Sequence, residues 1–203
     1  MNRRISAFAL AVALIALGAC GSSTLEPLGP GDRILAFGDS LTAGVGASTQ
    51  HSYPTVLAQL SGLDVINAGI SGETTDEGLQ RLPGELERVT PALLVLTEGG
   101  NDILRNISSR VIKENLRAMI EHANSRGIPV VLIGVPQKNL FSSVAPLYRE
   151  LAEEYALVFD DALLSDLLRT PRYKSDMVHF NEHGYRAMAE AIYALLQDNG
   201  AIP

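Results

Sequence analysis

Beyond Asp32 the chain alternates short, uncharged apolar runs with longer amphipathic stretches, and this rhythm restricts the fold more than any other feature. Ile34-Leu35-Ala36-Phe37, Val65-Ile66, Leu93 to Leu96, Val130 to Ile133 and Leu157-Val158-Phe159 each read as a short strand. Tyr53 to Leu60, Thr75 to Val89, Val111 to Ser125, Pro146 to Tyr155 and Glu182 to Gln197 read as helices. Pro54 stands near the start of its helix, where a missing N–H costs little, and Gly127 closes the third. Strands apolar on both sides need cover on both sides. The expected class is therefore α/β, a parallel sheet with helices on each face. In such sheets functional residues gather in the loops beyond the carboxyl ends of the strands.

The first thirty residues have a different character. Arg3 and Arg4 precede an uncharged, mostly apolar run from Ile5 to Leu17, and Gly18-Ala19-Cys20 follows. A run of that length spans about 20 Å as a helix, short of the ~30 Å hydrocarbon core. Residues 1–19 are therefore expected to be a signal peptide. Small residues ahead of Cys20 resemble a bacterial lipobox, in which the cysteine is lipidated; an ordinary cut after Ala19 is the alternative. Cys20 is the single cysteine, so no intramolecular disulfide can form. Residues 20–31, rich in Gly, Ser and Pro, are expected to be a flexible tether, with the folded domain over 32–203. These features predict a lipoprotein of the bacterial envelope that faces the periplasm, membrane-bound through Cys20. Gly21 after the cysteine favours the outer membrane.

Composition narrows the partners. The net charge is −7, and losing Arg3 and Arg4 with the leader makes it −9. No basic cluster relieves it, so nucleic acid is excluded as a partner. There is no Trp and aromatics are 5%, which argues against a stacking platform for sugars or bases.

Three of the predicted strands end in glycine-bearing loops with polar side chains. Strand one runs into Gly38-Asp39-Ser40-Leu41-Thr42-Ala43-Gly44, which sets Ser40 at the sheet edge. A serine there equally caps a helix. Neither a dinucleotide fingerprint nor a phosphate loop with Lys is present, and the G-x-S-x-G elbow is absent too. Strand two ends at Asn67-Ala68-Gly69-Ile70-Ser71-Gly72, either a ligand approach or simply a tight turn. Strand three ends at Glu98-Gly99-Gly100-Asn101-Asp102, where the Asn101 amide can aim at a developing oxyanion or merely serve the turn. Near the C-terminus, Asp176 stands three residues before His179. A carboxylate so placed can hold Nδ1–H and leave Nε2 to take a serine proton. A structural loop histidine is the bland alternative, and Asp176, His179 and His183 at D-x₂-H-x₃-H spacing form a metal alternative. His183 otherwise falls in the first turn of the last helix, with Asn181 as its cap. His51 and His122 carry no assignment.

In order and spacing, Gly38-Asp39-Ser40-Leu41, Gly72, Gly100-Asn101-Asp102 and Asp176-x-x-His179 resemble the GDSL, or SGNH, hydrolase family. The resemblance covers about Arg33 to the C-terminus and looks closest to the bacterial arylesterase, thioesterase and lysophospholipase branch. It implies a flavodoxin-like three-layer α/β/α sandwich with a five-stranded parallel sheet. It further implies Ser40 as nucleophile, His179 as general base and Asp176 orienting His179. The oxyanion hole would be the Ser40 N–H, the Gly72 N–H and the Asn101 side chain, with no metal or organic cofactor required. Many members carry proline after the histidine where Phe180 stands here, which leaves the shape of the acyl pocket open. The expected substrate is a small acyl ester, aryl or short to medium chain, extending to lysolipids and thioesters. Envelope carbohydrate deacetylation and a non-catalytic binding lipoprotein are the competing expectations.

Overall fold

The computed structural model describes residues 25–138 and 143–203. Five strands, β1 (Arg33–Gly38), β2 (Asp64–Gly69), β3 (Leu93–Thr97), β4 (Val130–Ile133) and β5 (Val158–Asp160), form one parallel sheet in the order β2-β1-β3-β4-β5. The central strands are fully covered: Ile34 to Phe37 and Leu94 to Leu96 have no exposed surface. This is the α/β class and sheet expected from the apolar runs.

Helices α1 (Ser40–Ala43), α2 (Tyr53–Ser61), α3 (Thr75–Val89), α4 (Gly100–Leu104), α5 (Ser109–Asn124), α6 (Pro146–Tyr155), α7 (Leu163–Arg169) and α8 (Glu182–Asp198) complete the described residues. α2 packs with α8, while α3 packs with α5 and α5 with α6, so the sheet is sandwiched between two helical layers. α3 starts at a capping box of Thr74 and Glu77 and buries Gly78, Leu82, Leu86 and Val89, one stripe at helical spacing. α5 does the same with Ile112, Leu116, Met119, Ile120 and Ala123.

One boundary moves. The segment expected to be tether is, over 25–31, part of the body. The Leu25 N–H donates to the Asn199 carbonyl at 2.8 Å and the Leu28 N–H to the Ala201 carbonyl at 2.8 Å, and both side chains pack on the core. Two leucines within a Pro/Gly-rich stretch supplied the apolar grip that a composition average hid. The signal run Ile5 to Leu17 and Cys20 lie outside the described residues. Among the described residues no helix is long and apolar enough to cross a membrane.

The strand order reverses at β1: the chain steps outward to β2, then returns past β1 to β3. A crevice opens outside the carboxyl ends of the strands at such a switch point.

Candidate active site

Ser40 owes its position to Asp39. β1 ends at Gly38, and Asp39 then caps α1, its Oδ1 accepting the Leu41 N–H at 3.0 Å. Ser40 becomes the first residue of a single helical turn, mostly buried at the crevice floor. The cap has an electrostatic consequence. Burial foremost, with Glu73 and Asp102 nearby and despite the Leu41 hydrogen bond and His179, raises the Asp39 carboxyl to about 6.

His179 arrives from the far end of the chain on a loop braced at both sides. The Ser175 N–H donates to the His179 carbonyl at 3.0 Å, and the Asn181 N–H to the Tyr173 carbonyl at 2.9 Å. The Asn181 side chain caps α8 through the Gly184 N–H, as its position ahead of the last helix suggested. Within this frame His179 Nε2 stands 3.1 Å from Ser40 Oγ, and Nδ1 stands 2.7 Å from Asp176 Oδ2. Asp176 Oδ1 accepts the Val178 and His179 N–H groups, each at 2.9 Å. Against the desolvation of its site, these hydrogen bonds bring the Asp176 carboxyl down to about 2. The structure thus joins the three predicted side chains into one relay.

The remaining candidates surround Ser40. Gly72 has φ +83°, a left-handed turn that suits glycine, and no described residue accepts its N–H. The Ser40 N–H is likewise without an acceptor among described residues. Asn101 is the second residue of α4, and its Nδ2 donates to the Glu73 carbonyl at 2.9 Å, with a long 3.4 Å contact to Asp39 Oδ2. Its second N–H is therefore only loosely held. The metal alternative loses its basis, since among the described residues no three His, Cys, Asp or Glu side chains group as a metal site requires.

Above the relay lies an open cleft with a cavity volume of about 100 Å³. Leu104, Val135, Pro136, Leu164, Leu168 and Val178 give it apolar walls. Phe180 is not among them. It is fully buried and stacks edge-on against Tyr185 at 5.5 Å, so it shapes the core beneath the histidine loop and not the pocket.

Two features of the site went unread in the sequence. α7 supplies Leu164 and Leu168. Its signal is the doublet pattern Leu163-Leu164 and Leu167-Leu168, four residues apart, but seven residues are too few to stand out beside the longer helices. The buried acids Glu73 and Glu98 were also missed, because a carboxylate beside glycines reads as a turn residue until its burial is known.

The match to known proteins follows this geometry. Residues 36–187 match the model of the GDSL-like lipase/acylhydrolase family. An arylesterase of Vibrio mimicus is 34% identical over 155 residues, 71% of this chain and 78% of that protein. A thioesterase 1/protease 1/lysophospholipase L1 of Escherichia coli K12 is 28% identical over 174 residues, 82% of this chain and 84% of that protein. Among solved structures, AlinE4, an SGNH-hydrolase family esterase, superposes with a TM-score of 0.66 at 32% identity, covering 84% of this chain and 97% of its own. The chain belongs to the GDSL-like lipase/acylhydrolase family, whose members are serine hydrolases acting on ester bonds.

Proposed function

We propose that the chain hydrolyses carboxylic acyl esters by two-step acyl transfer, with Ser40 as nucleophile, His179 as general base and Asp176 holding His179. The observation that carries this is the unbroken relay from Ser40 Oγ through His179 to Asp176 at the floor of an apolar cleft. A serine hydroxyl attacks only when a base takes its proton, and Nε2 is placed to do so. The ester carbonyl oxygen becomes an oxyanion, which the Ser40 N–H, the Gly72 N–H and the looser Asn101 N–H receive. Imidazolium then protonates the leaving alcohol, and water repeats the steps on the acyl-enzyme.

The apolar walls suit a short to medium acyl chain, or an aryl ester, better than a sugar: among the described residues no Phe, Tyr or Trp lines the cleft. A p-nitrophenyl ester series run beside lysophospholipid and an acetylated glycan tests this on protein lacking residues 1–20. Ser40→Ala must abolish both turnover and fluorophosphonate labelling while the protein stays folded. Labelling that persists at another residue removes Ser40 from its role, and no turnover on any substrate favours a binding protein.

We also read the chain as a lipoprotein anchored through Cys20, and the fold then sets an orientation. Leu25 and Glu26 lie beside Gly127, Ile128 and Pro129, just ahead of β4, so the chain enters the body at the amino ends of the strands. The cleft opens at the carboxyl ends. α8 alone, with 17 residues, spans about 25 Å between those two sides. Residues 20–24 extend at most ~18 Å. The cleft therefore faces away from the anchoring bilayer, towards soluble esters and not the lysolipids of the same leaflet.

A further inference from the structure

Four acid side chains lie buried behind Ser40: Asp39, Glu73, Glu98 and Asp102. Three have evident partners. Asp39 caps α1, Asp102 takes the Thr75 N–H at 2.9 Å and its hydroxyl at 2.6 Å, and Arg81 grips Glu73 with two hydrogen bonds of 2.8 and 2.6 Å. Arg81 is itself fixed, donating to the Ala68 carbonyl at 2.9 Å and lying 4.0 Å over the Phe37 ring. Glu98 differs. It has no exposed surface; Oε2 accepts the Gly99 N–H at 2.9 Å, and Oε1 has no hydrogen-bond donor.

The Glu98 carboxyl is within hydrogen-bonding reach of the Glu73 carboxyl. Two carboxylates that close in a dry interior cannot both stay ionised, and the Arg81 guanidinium lies on Glu73 and not on Glu98. Burial first, then the neighbouring charge of Asp39, holds the Glu98 carboxyl well above the usual carboxylate range. A protonated Glu98 carries an O–H, which gives a carboxyl with one unpartnered oxygen a donor of its own.

The two acids hold revealing places in the chain. Glu73 directly follows Gly72, and its main-chain carbonyl is the acceptor for Asn101 Nδ2. Glu98 stands three residues before Asn101 and opens the Gly99-Gly100 turn, with its own carbonyl pinned by the Tyr148 hydroxyl at 2.6 Å. Two of the three oxyanion donors, Gly72 and Asn101, come from separate loops, after β2 and after β3, and need a common frame. We propose that Glu98 is a positioning residue, its carboxyl O–H donating to the Glu73 carboxylate and so tying the Gly72 loop to the Asn101 loop. The proposal rests on the oxyanion-hole reading above.

Glu98→Gln keeps a neutral donor of the same length, whereas Glu98→Met keeps the length alone. Glu98→Met is expected to lower kcat roughly tenfold to a hundredfold at nearly constant KM, the signature of a weakened oxyanion hole. Glu98→Gln restores kcat to within about threefold of the parent, which a space-filling role would not require. Equal kcat in the Met variant and the parent overturns the proposal, as does a Gln variant as impaired as the Met one. Should the Met variant not fold, infrared spectroscopy of the parent near pH 8 decides, where Asp39, raised only to about 6, is ionised. A protonated-carboxyl carbonyl band that vanishes in Glu98→Gln supports the tie, and its absence in the parent overturns it. That band does not depend on Ser40, so failure of Ser40→Ala to abolish turnover would sink the esterase reading separately.

Discussion

The acid that caps the Ser40 helix should make stability depend on pH in a way one substitution removes. Asp39 ordinarily titrates at 3.8, and burial above all raises it to about 6 in the folded protein. The sign follows from which state holds the proton. Below 3.8 both folded and unfolded chains carry it. Between 3.8 and about 6 the unfolded chain releases it while the folded one keeps it, so stability falls as pH rises through this window. That interval, at about 1.4 kcal/mol per pH unit, amounts to about 3 kcal/mol. Asp39→Asn cannot ionise, yet its Oδ1 can still accept the Leu41 N–H. Its amide nitrogen would face Asn101 Nδ2 across a gap now 3.4 Å wide, donor against donor, a cost that is the same at every pH. Urea unfolding of parent and variant should therefore show their stability difference moving in the variant's favour by about 2 kcal/mol from about pH 4 to pH 7, with unchanged m-values. A difference that stays flat across that range refutes the assignment of a strained carboxylate to Asp39.

Three further outcomes test the site and the proposed anchor. Asn101→Ala should lower kcat by about 10²–10³ with little change in KM, checked by steady-state kinetics on a p-nitrophenyl ester; an effect confined to KM would mean Asn101 only positions substrate. Asp176→Asn should keep the two backbone hydrogen bonds from Val178 and His179 yet cut kcat by roughly 10⁴, because the amide favours the wrong imidazole tautomer. Near-parental kcat in that variant would remove Asp176 from the relay. Cys20→Ser should release the protein from membranes and leave turnover of a soluble ester unchanged; parent protein found wholly soluble, with the mass of an unmodified chain, ends the lipoprotein reading.

Much of the fold was legible because buried strands have little choice of residue. Leu93 to Leu96 and Val130 to Ile133 lie in the middle of the sheet, covered on both faces, and only apolar side chains are tolerated there. β2 was read as two residues and proved to be six, Asp64–Gly69. It is an edge strand, partly exposed along its length, so Asp64 and Asn67 interrupt the run that marks a central strand. β5, at the other edge, shifted by one residue for the same reason. The helices α1 and α4 were invisible as helices, since four and five residues show no period, yet both carry site residues at their first turn.

The site divides along similar lines. Ser40, Asn101, Asp176 and His179 stood out as polar residues at the end of an apolar run or at a fixed spacing, each with a bland alternative, and the resemblance to the GDSL family singled out Gly72 and implied the roles. What could not be read is which charges are buried. Glu98 and Glu121 are the same residue in the sequence, but Glu98 is wholly enclosed and Glu121 accepts from the Tyr155 hydroxyl on an exposed helix face. Burial belongs to the three-dimensional arrangement, and it changes the chemistry: desolvation pushes the Glu98 carboxyl well above the usual carboxylate range, while Glu121 accepts a hydrogen bond at the surface. The same holds for the entry of the chain. Composition made residues 25–31 look like slack, whereas two hydrogen bonds to Asn199 and Ala201 fix them at the end of the sheet opposite the cleft. A sheet that gathers its chemistry at the carboxyl ends of its strands and admits its N-terminal segment at the amino ends turns its active site away from whatever that segment is tied to.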